Sequence, residues 1–282
     1  MTVPEFVAVG NATRDVVADG WRLGGTVSFA AVQAQRLGCS VGIVTRAPAD
    51  LELAKNLPGI ELAQAFSATA TTFENVYAGG ERHQRILAQA PAIEPADVPE
   101  AWRAAPVVLL GPVWGEVAPG FAKVFHDQSL IGVSAQGWLR NADAAGRVQH
   151  RVWTGAPFWH GCDVLFVSDE DLADSRAELE TWTAAVPVVA LTESLRGARV
   201  FAEGRWRHMD AFPEVEVDPT GAGDTFATGF LIRLHETGDA GEAARFGAAA
   251  ASLSVRDIGI AAMPDRAEVE ERMRRYPEIA LR

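Results

Sequence analysis

Lysine is almost missing from this 282-residue chain: Lys55 and Lys123 are the only two, so arginine carries nearly all the positive charge. The formal net charge is −12 and the isoelectric point is near 5.0. Nucleic acids and anionic membranes reward clustered Lys and Arg, so this balance argues against both as partners. A phosphate ligand stays open, since it needs only local positive potential. Cysteine is scarce as well, with Cys39 and Cys162 too few and too far apart for a disulfide framework or a zinc site. The six histidines, at 83, 126, 150, 160, 208 and 235, show no HxxxH or HxH spacing, which argues against a His-built metal centre. No Gly-x-Ser-x-Gly nucleophile elbow occurs. Met1 to Gly10 has no basic segment and only a strand-length apolar run, so neither a signal peptide nor a membrane anchor is read there and the cytoplasm is the expected location.

What is present suffices for a sizeable core. At 48% hydrophobic content, 282 residues favour one large α/β domain with a small appendage. Val217-Asp218-Pro219-Thr220-Gly221-Ala222-Gly223-Asp224-Thr225-Phe226 organises the rest. Two glycines flank one small residue, and an acid then opens a run (Phe226, Phe230, Leu231, Leu234) at helical spacing. Glycines let the backbone approach a ligand, and the first turn of a helix leaves N–H groups unpaired at the positive end of its dipole. That makes an anion site. Asp224 within it is either a helix cap or a base beside developing negative charge.

Elsewhere short apolar runs alternate with helical segments. Strands are expected at 6–10, 41–45, 107–111, 130–133, 162–167 and 187–191. Helices are expected at 26–37, with Thr26 as cap and Gly38 as stop, and at 48–56, 119–127 and 242–255. Ser168-Asp169-Glu170-Asp171 reads as the opening of another short helix, in which the acids serve as helix-start charges. Residues 63–78 and 82–88 read as a hairpin turning at 78–81, and 199–208 as a second hairpin turning at Glu203-Gly204. Asn11 and Asp15 follow the first strand, at the end where ligands commonly bind, though both are also ordinary turn formers.

The stretch Asp218–Phe226 resembles the C-terminal signature of the ribokinase-like (PfkB) family of sugar, polyol and nucleoside kinases. That resemblance implies a three-layer α/β/α sandwich with a mostly parallel central sheet. Residues 1–282 would form a single domain, with a β lid from about 11–24 and 64–90. It implies ATP and Mg²⁺, with Asp224 as base and Gly221, Ala222 and Gly223 completing an anion hole. The block Asn11-x-x-x-Asp15 and the turn Gly24-Gly25 resemble the family's acceptor site, and Ser28 stands where many members have Asn. Ser134 and Gln136 replace an Asp-x-Asn pair, and the resemblance assigns Gln136 to the acceptor. Thr192, Gly197 and Thr220, with Gly221 and Gly223, would bind the nucleotide, and Ala249 and Ser252 would border its base. Ser194 replaces the first glycine of a Thr-x-Gly-x-x-Gly-Ala element. Glu170 would organise water around Mg²⁺, with Val167 at a position usually held by Asn. Pairing of lids implies a homodimer.

Within the family, Gly-Asn-x-x-x-Asp-Val, Leu-Gly-Gly-x-x-Ser-Phe and Thr-Thr-Phe-Glu resemble the plant-type inositol kinases. A kinase of a small polyol or sugar, with myo-inositol first, is therefore expected. The alternatives are a nucleoside kinase and a non-catalytic sensor that binds a sugar or nucleotide.

Overall fold

The computed structural model describes residues 2–78, 81–118, 120–153, 161–172 and 178–282. The chain opens with β1 (Phe6–Val9), the hairpin β2 (Thr13–Val17) and β3 (Gly20–Gly24), and helix α1 (Thr26–Arg36). Next come β4 (Val41–Ala47), the single turn α2 (Leu53–Asn56), β5 (Glu61–Phe66), and the long pair β6 (Thr71–Ala78) and β7 (Glu81–Ala88). After a proline-rich connector follow β8 (Val107–Leu110), β9 (Leu130–Ser134) and the small hairpin β10 (Arg140–Ala142) and β11 (Val148–His150). The chain continues through β12 (Val164–Ser168), α3 (Leu179–Ala185), β13 (Val188–Thr192), β14 (Ala198–Ala202) and β15 (Arg205–Met209). Helices α4 (Ala222–Thr237), α5 (Ala240–Ser254) and α6 (Arg266–Arg275) complete it.

Nine strands form one sheet in the order β15-β14-β13-β12-β9-β8-β1-β4-β5. Pairing is parallel from β13 to β5, and only the β13-β14 and β14-β15 pairs are antiparallel, so β14 alone runs against the rest. Strand residues alternate between faces, and in β1 both faces are buried. Phe6 and Ala8 join the core under α1, α4, α5 and α6, whereas Val7 and Val9 join a second core containing Trp102 and Trp182. Helical layers thus cover both sides, giving the three-layer sandwich. A separate four-stranded sheet, β3-β2-β6-β7, stands off it. Among the described residues no helix is long and apolar enough to cross a membrane.

Several expectations are corrected. Residues 48–56 do not form one helix: Glu52, at φ 46°, separates a 3₁₀ turn at Ala49–Leu51 from α2. The helix expected at 119–127 is a 3₁₀ turn, Phe121–Val124. Residues 169–172 form turns rather than a helix start. Gly25, not Thr26, caps α1, because its φ of 88° brings the chain against Asn11, where a Cβ would lie 2.7 Å from the carbonyl oxygen. Helix α5 starts earlier than expected, with Asp239 accepting from the amides of Gly241 and Glu242. Of the turn expected at 78–81, residues 79–80 lie outside the described residues.

Candidate functional site

The start of α4 is shaped by Gly221, which occupies the cap position at φ 81°. A Cβ there would overlap the Phe29 ring, so both backbone angle and space demand glycine. Ala222 N donates to Pro219 O at 3.1 Å and Thr225 N to Gly221 O at 2.8 Å. The intervening amides of Gly223 and Asp224 have no acceptor among the described residues. Gly223 is exposed, and no atom lies within 4 Å of where its Cβ would stand. Packing therefore does not explain this glycine. Free amides at the positive end of a 16-residue helix, with clear space before them, form an anion-binding surface.

Asp224 faces the same space and is partly buried. Burial, with help from the neighbouring Asp171 charge, raises its carboxyl to about 6, against the opposing pull of the nearby Thr26 hydroxyl and the charge of Arg140. Arg140 begins β10 and reaches Gln84 Oε1 at 3.2 Å and Asp171 Oδ1 at 3.4 Å. Its side chain is only 15% exposed.

These groups line one cavity of about 370 Å³ at the carboxyl ends of β9, β12 and β13. One end is polar. Asp15 and Thr13 of β2 (Thr13 Oγ1 donating to Asp15 Oδ1 at 2.9 Å), Gly25, Ser134, Gln136 and Gln84 stand there with Phe73 and Val113. The structure does not bring Asn11 to this wall. Its side chain is fully buried, donating to Pro91 O and accepting from Arg46 N, because it ties the ends of β1 and β4 to the connector after β7. Ser28 is also buried, its hydroxyl donating back to Gly24 O at 2.8 Å within the first turn of α1. Glu116 backs this end of the site: it is 2% exposed and accepts from the amides of Asn11, Val113 and Trp114. Burial holds its carboxyl above the usual range despite those donors.

The other end is more apolar. Thr192, Gly197, Thr220 and Ser252 line it with Leu195, Ala198, Phe212, Ala248, Ala251 and Val255. Ala249 does not: it is fully buried in the core, because α5 turns its neighbours Ala248 and Ala251 toward the cavity. Ser194 sits at φ 52°, a left-handed conformation that glycine adopts without strain. Gly197, at φ 94°, lies so close to Met209 O and Ala211 N that no side chain fits. Val167 and Glu170 both line the cavity. Among the described residues no cluster of three or more His, Cys, Asp or Glu is arranged to hold a metal ion.

The sequence reading left out four groups that the fold brings in: Thr26, Gln84, Arg140 and Asp171. Thr26 looked like a cap and Asp171 like a helix-start acid, and only their meeting in the cavity that Asp224 also lines reveals them. Arg140 carried a local signal, its position just downstream of Gln136.

The sandwich and its cleft have the architecture of ribokinase-family kinases. A pyrophosphate-dependent kinase of that family, solved with a pyrophosphate analogue and myo-inositol, superposes with a TM-score of 0.78 at 21% identity, covering 94% of this chain and 99% of that one. Ribokinase from Arabidopsis thaliana, solved with ribose and ATP, gives a TM-score of 0.75 at 21% identity, covering 96% and 99%. In sequence, inositol 3-kinase from Zea mays is 31% identical over 284 residues, spanning 91% of this chain and 73% of that protein. The model of the pfkB family carbohydrate kinases matches residues 154–266. The chain belongs to the pfkB family. Its enzyme class is the one expected from the sequence, a carbohydrate or polyol kinase of a family that uses ATP.

Proposed function

We propose that this enzyme transfers the γ-phosphoryl group of ATP to a hydroxyl of a small uncharged polyol or sugar, with myo-inositol as the first candidate. The observation that carries this reading is Asp224: a carboxyl raised to about 6, set among free helix-start amides, in a cavity that Asp15 and Gln136 also line. Similarity to inositol 3-kinase supports the acceptor. Acids predominate among the charged groups of the lining, which disfavours an acceptor that already carries a phosphate or carboxylate.

In this mechanism the acceptor hydroxyl hydrogen-bonds to ionised Asp224. As its oxygen bonds to the γ-phosphorus, the bond from phosphorus to the bridging oxygen of ADP breaks, and the hydroxyl proton passes to Asp224. The amides of Gly223 and Asp224, with Arg140, meet the charge on the transferring group. Asp15, Gly25 and Gln136 orient the acceptor. The small sheet carries Asp15, Phe73 and Gln84 into the cavity wall, so we assign it the role of a lid that excludes water. Mg²⁺ would enter with the donor's phosphates and be held through water by Glu170, supplying neutralisation of phosphate charge.

For the donor, the apolar end from Leu195 to Val255 suits a nucleoside. Pyrophosphate, used by one structural neighbour, offers only charge to bind, and Arg140 is the single cation among the described residues lining the cavity. That favours ATP. Phe73 and Val113 at the acceptor end support a nucleoside acceptor as the second reading.

The test is to incubate the protein with Mg·ATP and, separately, Mg·pyrophosphate against a panel of polyols, sugars and nucleosides, measuring ADP or phosphate release. Turnover of a polyol or sugar with ATP is expected. Turnover with pyrophosphate alone would overturn the donor, a nucleoside preference would overturn the acceptor, and tight binding without turnover would leave a sensor.

A further inference from the structure

We propose that the tip of the β10–β11 hairpin is the seat on which the small sheet closes, and that docking Ile86 against Gly146 there positions Arg140 in the cavity through Gln84. The proposal deepens the proposed function and rests on the reading of the small sheet as a lid and of Arg140 as the cation at the phosphoryl group.

The hairpin is rooted in the body of the protein. Trp138 and Leu139, directly before β10, are buried in the second core, and Trp138 Nε1 donates to Val117 O at 3.1 Å. Arg151, just past β11, donates its amide to Leu139 O at 2.9 Å and closes the root. The tip is a tight turn built around one residue. Asp143 Oδ1 accepts from the amides of Ala145 and Arg147 at 2.8 and 3.0 Å, and its carbonyl accepts from Gly146 N at 2.9 Å.

Strand β7 is the outer strand of the small sheet, and its outer edge meets that tip. Ile86 N donates to Gly146 O at 2.9 Å, Arg85 faces Arg147 in a single antiparallel bridge, and Arg85 Nη2 donates to Ala145 O at 3.3 Å. Like charges facing across strands repel, but each arginine has its own acid, Glu74 for Arg85 and Asp143 for Arg147. Gly146 is required twice. Its φ is 78°, and a Cβ would stand 2.8 Å from Ile86 O, so a side chain there would push the lid edge away.

Gln84 lies two residues before Ile86, on the same face of the strand, so seating one places the other. Its Oε1 accepts from Arg140 at 3.2 Å, while its Nε2 donates to Asn75 Oδ1 at 3.2 Å, which fixes the end of the amide that faces the guanidinium. Asp171 holds the opposite side of that guanidinium at 3.4 Å. The body thus supplies one contact to Arg140 and the closed lid the other. Closure and alignment of the cation become one event, so the site is incomplete until water is excluded.

Gly146→Asn is the first test, because asparagine tolerates the left-handed backbone and keeps the turn while its Cβ meets Ile86 O. Its kcat should fall about tenfold with the donor KM nearly unchanged. In an Arg140→Gln background the same change should cost less than about twofold, since the residue it acts through is gone. A tenfold loss in both backgrounds, or an unmoved kcat in the parent, would overturn the proposal. The pair Arg85→Cys/Arg147→Cys reads the docking directly, because facing residues of an antiparallel bridge stand about 4.5–5.5 Å apart at Cα, within disulfide reach. Oxidation in air should crosslink the lid to its seat and slow ADP release at least tenfold with the acceptor that is fastest in the panel, and dithiothreitol should restore the rate. No crosslink, or an oxidised enzyme as fast as its reduced form, also overturns the proposal. Normal turnover by Arg140→Gln alone would instead sink the role given to that cation, so the two failures remain distinguishable.

Discussion

Arg140 donates from Nη2 to Oδ1 of Asp171 across 3.4 Å, and from Nη1 to Gln84 on β7 across 3.2 Å, so one guanidinium joins the small sheet to the turn after β12. It is the only cation among the described residues lining a cavity that also holds Asp15, Glu170, Asp171, Glu214, Glu216 and Asp224. Charge on a transferring phosphoryl group needs a cation in such surroundings. Arg140→Gln is expected to lower kcat by about 10²–10³. The same change should push the Asp224 carboxyl further up, because Arg140 is one of the two influences holding it down. Steady-state ADP release between pH 5 and 8 checks both effects, and a kcat within a few fold of the parent enzyme would refute this role.

Asp224 links activity to stability with opposite signs. Its carboxyl is raised from 3.8 to about 6, so activity as a base should fall as pH drops below 6. For folding, the native state binds the proton more tightly than the unfolded chain. This group's contribution is therefore most favourable below the unfolded value and is lost as pH rises from about 4 to 6. Asp224→Asn should abolish most transfer while leaving nucleotide binding nearly intact. It should also stabilise the protein above pH 6 by on the order of 2 kcal/mol, a gain that fades toward pH 4. Denaturant melts of both proteins at pH 4 and pH 8 test this, and an equal difference at the two values would contradict the raised carboxyl.

Gly223 separates folding from binding. Nothing in the protein lies within 4 Å of the place its Cβ would take, and it sits in the first turn of α4. Gly223→Ala should therefore keep or raise the melting temperature, since alanine favours a helix by up to about 1 kcal/mol. The methyl would stand where the donor phosphates must approach the amides, so turnover should fall by tenfold or more. Loss of stability together with activity would show that this glycine serves packing instead.

The sandwich was legible because parallel strands buried on both faces read as short apolar runs, and β1, β8 and β13 do so without interruption. The start of α4 was legible because its spacing of glycines and acid has few structural meanings. Asn11 and Ser28 were misplaced for a shared reason. A polar residue beside a pocket can turn inward to satisfy the backbone, as both do at Pro91 O and Gly24 O, and composition does not reveal which way it turns. Ala249 failed by one helical step, since Ala248 and Ala251 look alike in sequence but face the cavity. Thr26 and Asp171 stayed hidden because only the fold brings them to the cavity that Asp224, far along the chain, also lines. Ser194 is the converse case: a departure from a glycine-bearing pattern that the backbone still records, as a φ of 52°.

Glu116 gives a prediction about architecture rather than chemistry. It is 2% exposed, and its carboxylate accepts from Asn11 N and Trp114 N at 2.8 Å each and from Val113 N at 3.0 and 3.1 Å. The end of β1 and the loop after β8 are thus held by one side chain, and that loop carries Val113 to the cavity and Gly111 to Thr26. Glu116→Gln keeps the volume but turns an NH₂ group toward amide donors, leaving buried N–H groups without partners. The expected loss is about 2–3 kcal/mol of stability. Because the loop sets the acceptor wall and not the apolar donor end, the folded variant should show a raised acceptor KM with the donor KM nearly unchanged. Urea melts with kinetics at a temperature where the variant is folded decide it. A loss below about 0.5 kcal/mol would mean that the loop keeps its shape without the carboxylate.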